Sequence, residues 1–271
     1  VFAATWLSYV GFYFCRKPFS AAKGNMGAEF GWSATDLSNV WAAYLIAYAI
    51  GQFLASALGP KLGPRRNVLL GMALSIGVTV LMGVSPSLPM MAGLVAVNGL
   101  AQATGWSGNV GTMAAWFHKR ERGRVMGMWS TNFITGSVAT GFFMAWVLSM
   151  HEPGEPEPWR WCFYAGAMVL AVVWLQFYFL QRNRPEDLGL APIDDPGTAT
   201  DEAQLPAEAP KVGWRYLSRD ARINLMLVAG FYFFIKFVRY AVWSWGGYVL
   251  FKNFALTGST ANAYMTVFDI M

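Results

Sequence analysis

The stretch RINLMLVAGFYFFIKFVRYAVWSWGGYVL, residues 222–250, decides the fold class. It is apolar and aromatic over more than the roughly 20 residues that a helix needs to cross a bilayer. Yet it holds two cations, Lys236 and Arg239, far from either end. An Arg at the centre of a membrane costs about 2.5–3.5 kcal/mol even on the lenient insertion scale, so such a cation needs water or an anion beside it. Working outward, runs of the same kind precede it at 2–22, 38–58, 67–85, 88–114, 124–149 and 160–181, and an eighth begins near 259. A signal peptide supplies one short apolar segment; this recurrence predicts an all-α polytopic membrane protein.

Composition agrees. The 271 residues are 55% apolar, 16% aromatic and 13% charged, where a soluble domain carries about 25% charged residues. The net charge of +5 does not mark a nucleic-acid binder, because the Lys and Arg residues fall in short loops between apolar runs rather than along one face. Cys15 and Cys162 lie inside apolar runs with no metal-ligand spacing. His118 and His151 fall in loops, and no Ser/His/Asp set, metal cluster or phosphate-binding GxxxxGK[ST] loop occurs. Neither an enzyme nor a bound cofactor is expected.

Basic residues mark alternate loops: Lys61, Arg65 and Arg66 after the second helix, then His118, Lys119, Arg120, Arg122 and Arg124 after the fourth. A third group follows the sixth helix: Arg182, Arg184, Lys211, Arg215, Arg219 and Arg222. The positive-inside rule makes these loops, and the N-terminus with them, cytoplasmic. The expected organisation is a six-helix N-terminal bundle over 1–182, a Pro/Ala/Asp/Glu-rich cytoplasmic linker over 183–220, and the start of a second bundle over 221–271. That layout is a two-bundle transporter. Val1 is not a Met, and Asp269, Ile270 and Met271 fall inside an apolar run, so the chain is read as a piece of a longer protein. Glycines punctuate the spans: Gly99, Gly105, Gly108 and Gly111 in the fourth, Gly123, Gly127, Gly136 and Gly141 around the fifth. They are expected at close helix contacts, where smooth faces also permit sliding.

The charged positions inside the spans carry the functional signal. In the first helix Tyr9, Tyr13 and Arg16 follow at spacings of four and three, sharing one face, with Lys17 beside them. The seventh repeats the device with Tyr232, Lys236, Arg239 and Tyr240. Arg suits phosphate because its planar fork donates two parallel hydrogen bonds, and Tyr hydroxyls add neutral donors. Arg16 and Lys17 lie toward one end of their helix, where snorkelling is the competing reading; Lys236 has a stem long enough to reach a watery vestibule. Arg239 is flanked by Phe233, Phe234, Phe237 and Val238 on one side and Val242, Trp243 and Trp245 on the other. Asp269 in the eighth helix either pairs with Lys236 or Arg239, carries a proton, or sits at a helix end. Trp106, Trp116 and Trp129 are read as cavity lining or as packing and interfacial anchors.

These motifs also carry a resemblance. Tyr13-Phe14-Cys15-Arg16-Lys17-Pro18-Phe19 resembles the YxxRKxF signature of the organophosphate:phosphate antiporters of the major facilitator superfamily, the family of bacterial glycerol-3-phosphate and hexose-phosphate transporters. Further matches follow in order: Asn98-Gly99-Leu100-Ala101-Gln102 with Gly105-Trp106, Trp116, Lys119-Arg120-Glu121-Arg122-Gly123, Trp129, Pro185 to Leu190, and Val238-Arg239-Tyr240 with Trp245. The resemblance implies alternating access with exchange of an organophosphate for inorganic phosphate. Arg16 and Arg239 would be the paired phosphate-binding arginines, Tyr9 and Tyr13 would line the cavity, and Lys17 would match the neighbouring lysine. Asp269 falls where the family has an acidic residue, allowing a two-residue insertion. The full expected site is Arg16, Arg239, Lys17, Tyr9, Tyr13, Lys236, Tyr240, Trp106 and Asp269. Gln52, Phe133, Ser244 and Lys236 depart from the glycerol-3-phosphate transporter, which has Lys, His, Asp and Tyr there. The second-to-third loop, Gly59 to Arg66, lacks the superfamily's acidic residue. These changes bear on the organic half of the substrate. A sugar-phosphate sensor and a proton-coupled symporter using Asp269 are the alternatives. The expected setting is a monomer in the inner cell membrane.

Overall fold

Pro18 divides the first apolar run. A computed structural model describes residues 1–85, 87–151, 155–193 and 217–270, with the backbone alone at 60, 269 and 270. Helix α1 covers Phe2–Arg16 and α2 covers Pro18–Phe30, with Lys17 joining them in a helical conformation. Proline has no N–H to give to the carbonyl four residues back, here that of Phe14, so the rod is divided without being interrupted. It ends at Gly31, whose φ of 68° is the left-handed cap that glycine adopts without strain.

The helix therefore runs eight residues past the expected end at 22. A hydropathy reading stops at Lys23-Gly24-Asn25, but Lys23 and Gly24 are buried against the seventh spanning helix, so tertiary packing holds these polar turns.

Ser33 and Asp36 form a reciprocal capping box that starts α3, Ala34–Leu62. A single residue, Gly63, turns the chain into α4, Pro64–Gly83. Then come α5, Leu88–Trp116, α6, Lys119–Trp129, and α7, Thr131–Leu148, with Ser130 joining the last two. Helix α8 is Trp159–Leu180, a 3-10 turn covers Pro185–Leu188, and α9, Arg219–Asn253, leads to α10, Gly258–Ile270.

The basic run after the fourth span is helical rather than a loop. Arg122 donates from Nε to the Phe117 carbonyl at 3.0 Å and from Nη2 to that of Ala114 at 2.7 Å, capping the end of α5. Asn183 and Arg184 close onto Asp187, and Asn183 Oδ1 accepts the Arg65 N–H. Residues 194–216 of the expected linker lie outside the described residues.

Five helical stretches among the described residues are long and apolar enough to cross a membrane: Ala34–Gly59, Pro64–Gly83, Lys119–Leu148, Trp159–Leu180 and Arg219–Asn253. Of the seven full spans expected, the two outside that set, α1–α2 and α5, are the ones that carry Arg16, Lys17 and Lys23, and Asn98, Gln102 and Asn109. Their polar groups point inward. Helix α1 occupies the centre, with Phe12 against Gly105 of α5, Tyr13 against Gly136 of α7, and Gly11 against Val173 of α8.

Small residues make the close approaches. A Cβ at Gly99 would lie 2.6 Å from the Tyr44 carbonyl, and one at Gly166 would collide with the carbonyl of Phe14, the group that Pro18 leaves free. Gly105, Gly108, Gly136 and Gly141 serve similar contacts. Gly123 and Gly127 do not: nothing among the described residues lies within 4 Å of a Cβ at either.

The chain runs up and down, which sorts its loops by end. The turn at Gly63, the α5–α6 junction, the exit from α8 and the start of α9 share the basic end; Gly31, the α7–α8 connection and the α9–α10 turn share the far end.

Candidate functional site

The site begins with a buried polar network on α5. Asn98 donates from Nδ2 to the Cys15 carbonyl at 2.8 Å and accepts from Ser75 Oγ at 2.6 Å. One turn on, Gln102 donates from Nε2 to the Phe12 carbonyl at 3.0 Å and to Ser75 Oγ at 3.2 Å. The amide orientation leaves Gln102 Oε1 facing α1, where it accepts from Arg16 Nε at 2.9 Å. Arg16 is thereby fixed at 6% exposure, well inside the bundle and not snorkelling to an interface.

Three tyrosine rings surround that guanidinium, with Tyr13 at 4.9 Å, Tyr48 at 5.3 Å and Tyr9 at 6.0 Å from its carbon. Ring faces attract the cation without neutralising it. Arg16 Nη2 has no hydrogen-bond partner among the described residues.

Arg16 lines a cavity of about 310 Å³. From α9, Tyr232, Lys236, Arg239, Tyr240 and Trp243 form the opposing wall. Arg239 lies 5.5 Å over Phe133, and Lys236 lies 5.0 Å over Tyr232. Among the described residues no carboxylate lines the cavity or pairs with Arg16, Lys236 or Arg239. Three cations thus face one chamber, with no acid among the described residues.

Of the expected site residues, Tyr9, Tyr13, Arg16, Trp106, Lys236, Arg239 and Tyr240 meet here. Trp116 and Trp129, read as cavity lining or as packing, lie outside that lining; their indoles donate to the Arg182 carbonyl and to Thr5 Oγ1. Lys17 is also elsewhere. It donates to the Ser137 carbonyl at 2.9 Å, lies 5.6 Å over Trp243 and lines a smaller neighbouring cavity. Successive residues on a helix point about 100° apart, so Lys17 cannot share the face of Arg16. The side chain of Asp269, and with it the expected pairing, lies outside the described residues.

The sequence reading left out Tyr48, Ser137 and Trp243. The spacing of four through Tyr44, Tyr48 and Gln52 was the signal available for α3. Gln52, Phe133 and Lys236, three of the four departures from the glycerol-3-phosphate transporter, all line the cavity.

Among the described residues the far end is closed. Glu157 accepts from Gly258 N at 2.9 Å, Ser259 N at 2.8 Å and Asn25 Nδ2 at 2.8 Å, tying the start of α10 to α2. Beneath it, Asn262 donates to the Ala21 carbonyl, and Phe251 packs on Gly24.

A helical bundle with an internal polar chamber, closed at one end, is the architecture of a membrane transporter. The family model described as Major Facilitator Superfamily matches residues 1–269, and the chain belongs to that superfamily. It is 26% identical to a probable hexose phosphate transport protein of Chlamydia pneumoniae, over all of this chain and 61% of that protein. It is likewise 26% identical to the glycerol-3-phosphate transporter of Haemophilus influenzae, over all of this chain and 59% of the relative. The chain therefore spans about three-fifths of the length of these curated relatives. Among solved structures, an inward-facing, unoccupied bacterial homologue of the human lysosomal transporter Spinster matches with a TM-score of 0.75. That match has 17% identity and covers 99% of this chain and 58% of the other.

Proposed function

We propose that this chain is the larger part of an antiporter that exchanges a small phosphorylated metabolite for inorganic phosphate. The observation that carries the reading is the chamber holding Arg16, Lys236 and Arg239 with no described acid, in which Arg16 Nη2 is buried without a partner. Charges kept in a membrane interior need compensation, and a mobile dianion supplies it only while bound. The polar network frees one edge of Arg16 for the ligand, and tyrosine hydroxyls supply neutral donors.

Arg16 comes from the first six spans and Arg239 from the seventh, so one phosphate reaching both draws the two bundles together. The differential affinity of the anion for closed and open arrangements is what moves the equilibrium. The Glu157 tie at the far end and the lining of the chamber from the basic-end half of the α1–α2 rod support a state open toward the basic loops, which the positive-inside rule makes cytoplasmic. The relatives named for glycerol-3-phosphate and hexose phosphate support the substrate class. Gln52, Phe133 and Lys236 give this chamber its own selectivity for the organic half.

Exchange of labelled phosphate in proteoliposomes of the full-length protein tests the reading. Arg16→Lys and Arg239→Lys should each abolish exchange; retention of exchange in both sinks it. Phosphate binding without any exchange by the wild type would instead favour a sensor.

A further inference from the structure

Lys23 is the most deeply buried cation among the described residues, at 0% exposure. Its ammonium donates to the Ser244 carbonyl at 3.0 Å and to Ser244 Oγ at 2.6 Å. Trp245, Trp41 and Phe19 surround it at 4.3, 5.2 and 5.5 Å from their ring centres. No carboxylate among the described residues pairs with it. An unpaired buried ammonium is expensive, and an apolar side chain of similar volume would close the same seam at lower cost. A positive charge held at this point has its use in another arrangement of the helices.

Its position defines that arrangement. Lys23 is seven residues beyond Arg16, two helical turns and about 10 Å along the same face toward the far end. Ser244 is five residues beyond Arg239 on α9, which runs in the same direction. The pair Lys23–Ser244 is thus one step outward from the pair Arg16–Arg239, on the same α1–α2 rod and on α9. It lies on the seam that must part if the far end opens.

We propose that Lys23 is a second anion-binding position of the transport path. Resting on the exchange function above, it is held by Ser244 while the far end is closed. When α9 leaves α2, the ammonium is bared to the far-side opening, takes the phosphoryl group of an entering phosphate or phosphate monoester, and hands it to Arg16. The hydroxyl and carbonyl of Ser244 suit this use because they satisfy the ammonium without neutralising it, so an anion outcompetes them.

The test is phosphate exchange by the full-length protein in sided proteoliposomes, with phosphate varied separately on each face. For Lys23→Gln, the half-saturating concentration on the face opposite the Lys61–Arg66 loop should rise about tenfold, the loss of one charge-assisted contact. On the loop face it should stay within about twofold. Lys23→Arg should restore the far-face value, and Ser244→Asp, which gives the ammonium a permanent counter-ion, should slow exchange from both faces. Equal half-saturation shifts on both faces, or none, in Lys23→Gln overturn the inference while leaving the exchange function intact. If Lys23→Gln does not assemble, Ser244→Ala decides: it removes one of the two acceptors that hold the ammonium and should lower the far-face value, and no change there is equally fatal. A wild-type protein that exchanges no phosphate removes the underlying function, and this inference with it.

Discussion

Gln102 Oε1 accepts a hydrogen bond from Arg16 Nε at 2.9 Å, while its own amide reaches back to the Phe12 carbonyl one turn earlier on the same helix. One side chain thus fixes both the backbone that carries the cation and the direction in which the guanidinium points.

Replacing Gln102 by Leu removes that hold without changing side-chain size greatly. Hydrogen bonds to charged groups contribute about 1.5–3 kcal/mol, so phosphate binding to the full-length protein should weaken by roughly tenfold to a hundredfold. Gln102→Glu places a carboxylate directly on Arg16 and should abolish binding outright. Titration calorimetry on both variants checks this, and unchanged affinity in Gln102→Glu contradicts it.

Lys17 and Arg16 are adjacent in sequence but face different cavities. Arg16→Gln should abolish phosphate binding, whereas Lys17→Gln should change the dissociation constant by less than about fivefold, which is about 1 kcal/mol. Equal losses in the two variants would show that Lys17 reaches the anion.

Packing separates the glycines in the same manner. Gly166→Ala drives a methyl group onto the Phe14 carbonyl and should cost about 1–3 kcal/mol, seen as a lower thermal midpoint in detergent. Gly123→Ala on α6 meets nothing among the described residues and should be neutral or stabilising by up to about 1 kcal/mol.

Much of the chamber was legible in the sequence because a cation inside an apolar run is costly and helical spacing says which tyrosines share its face. Tyr9, Tyr13 and Arg16 on α1, and Tyr232, Lys236, Arg239 and Tyr240 on α9, line one cavity as those spacings predict. Tyr48 and Ser137 carry no charge and look like any other span residue until the fold brings α3 and α7 to the walls of one chamber. Lys23 was hidden for a different reason: hydropathy ends the first span just before it, and only contact with α9 turns that polar turn into protein interior. Its spacing of seven from Arg16 was the trace it left in the sequence.

The claim that two arginines from different spans grip one phosphate is tested most directly by calorimetric titration of inorganic phosphate into the purified full-length protein, its Arg16→Gln and Arg239→Gln variants and the double variant. The account predicts saturable binding by the wild type and none by any of the three variants. Wild-type affinity in either single variant would contradict it.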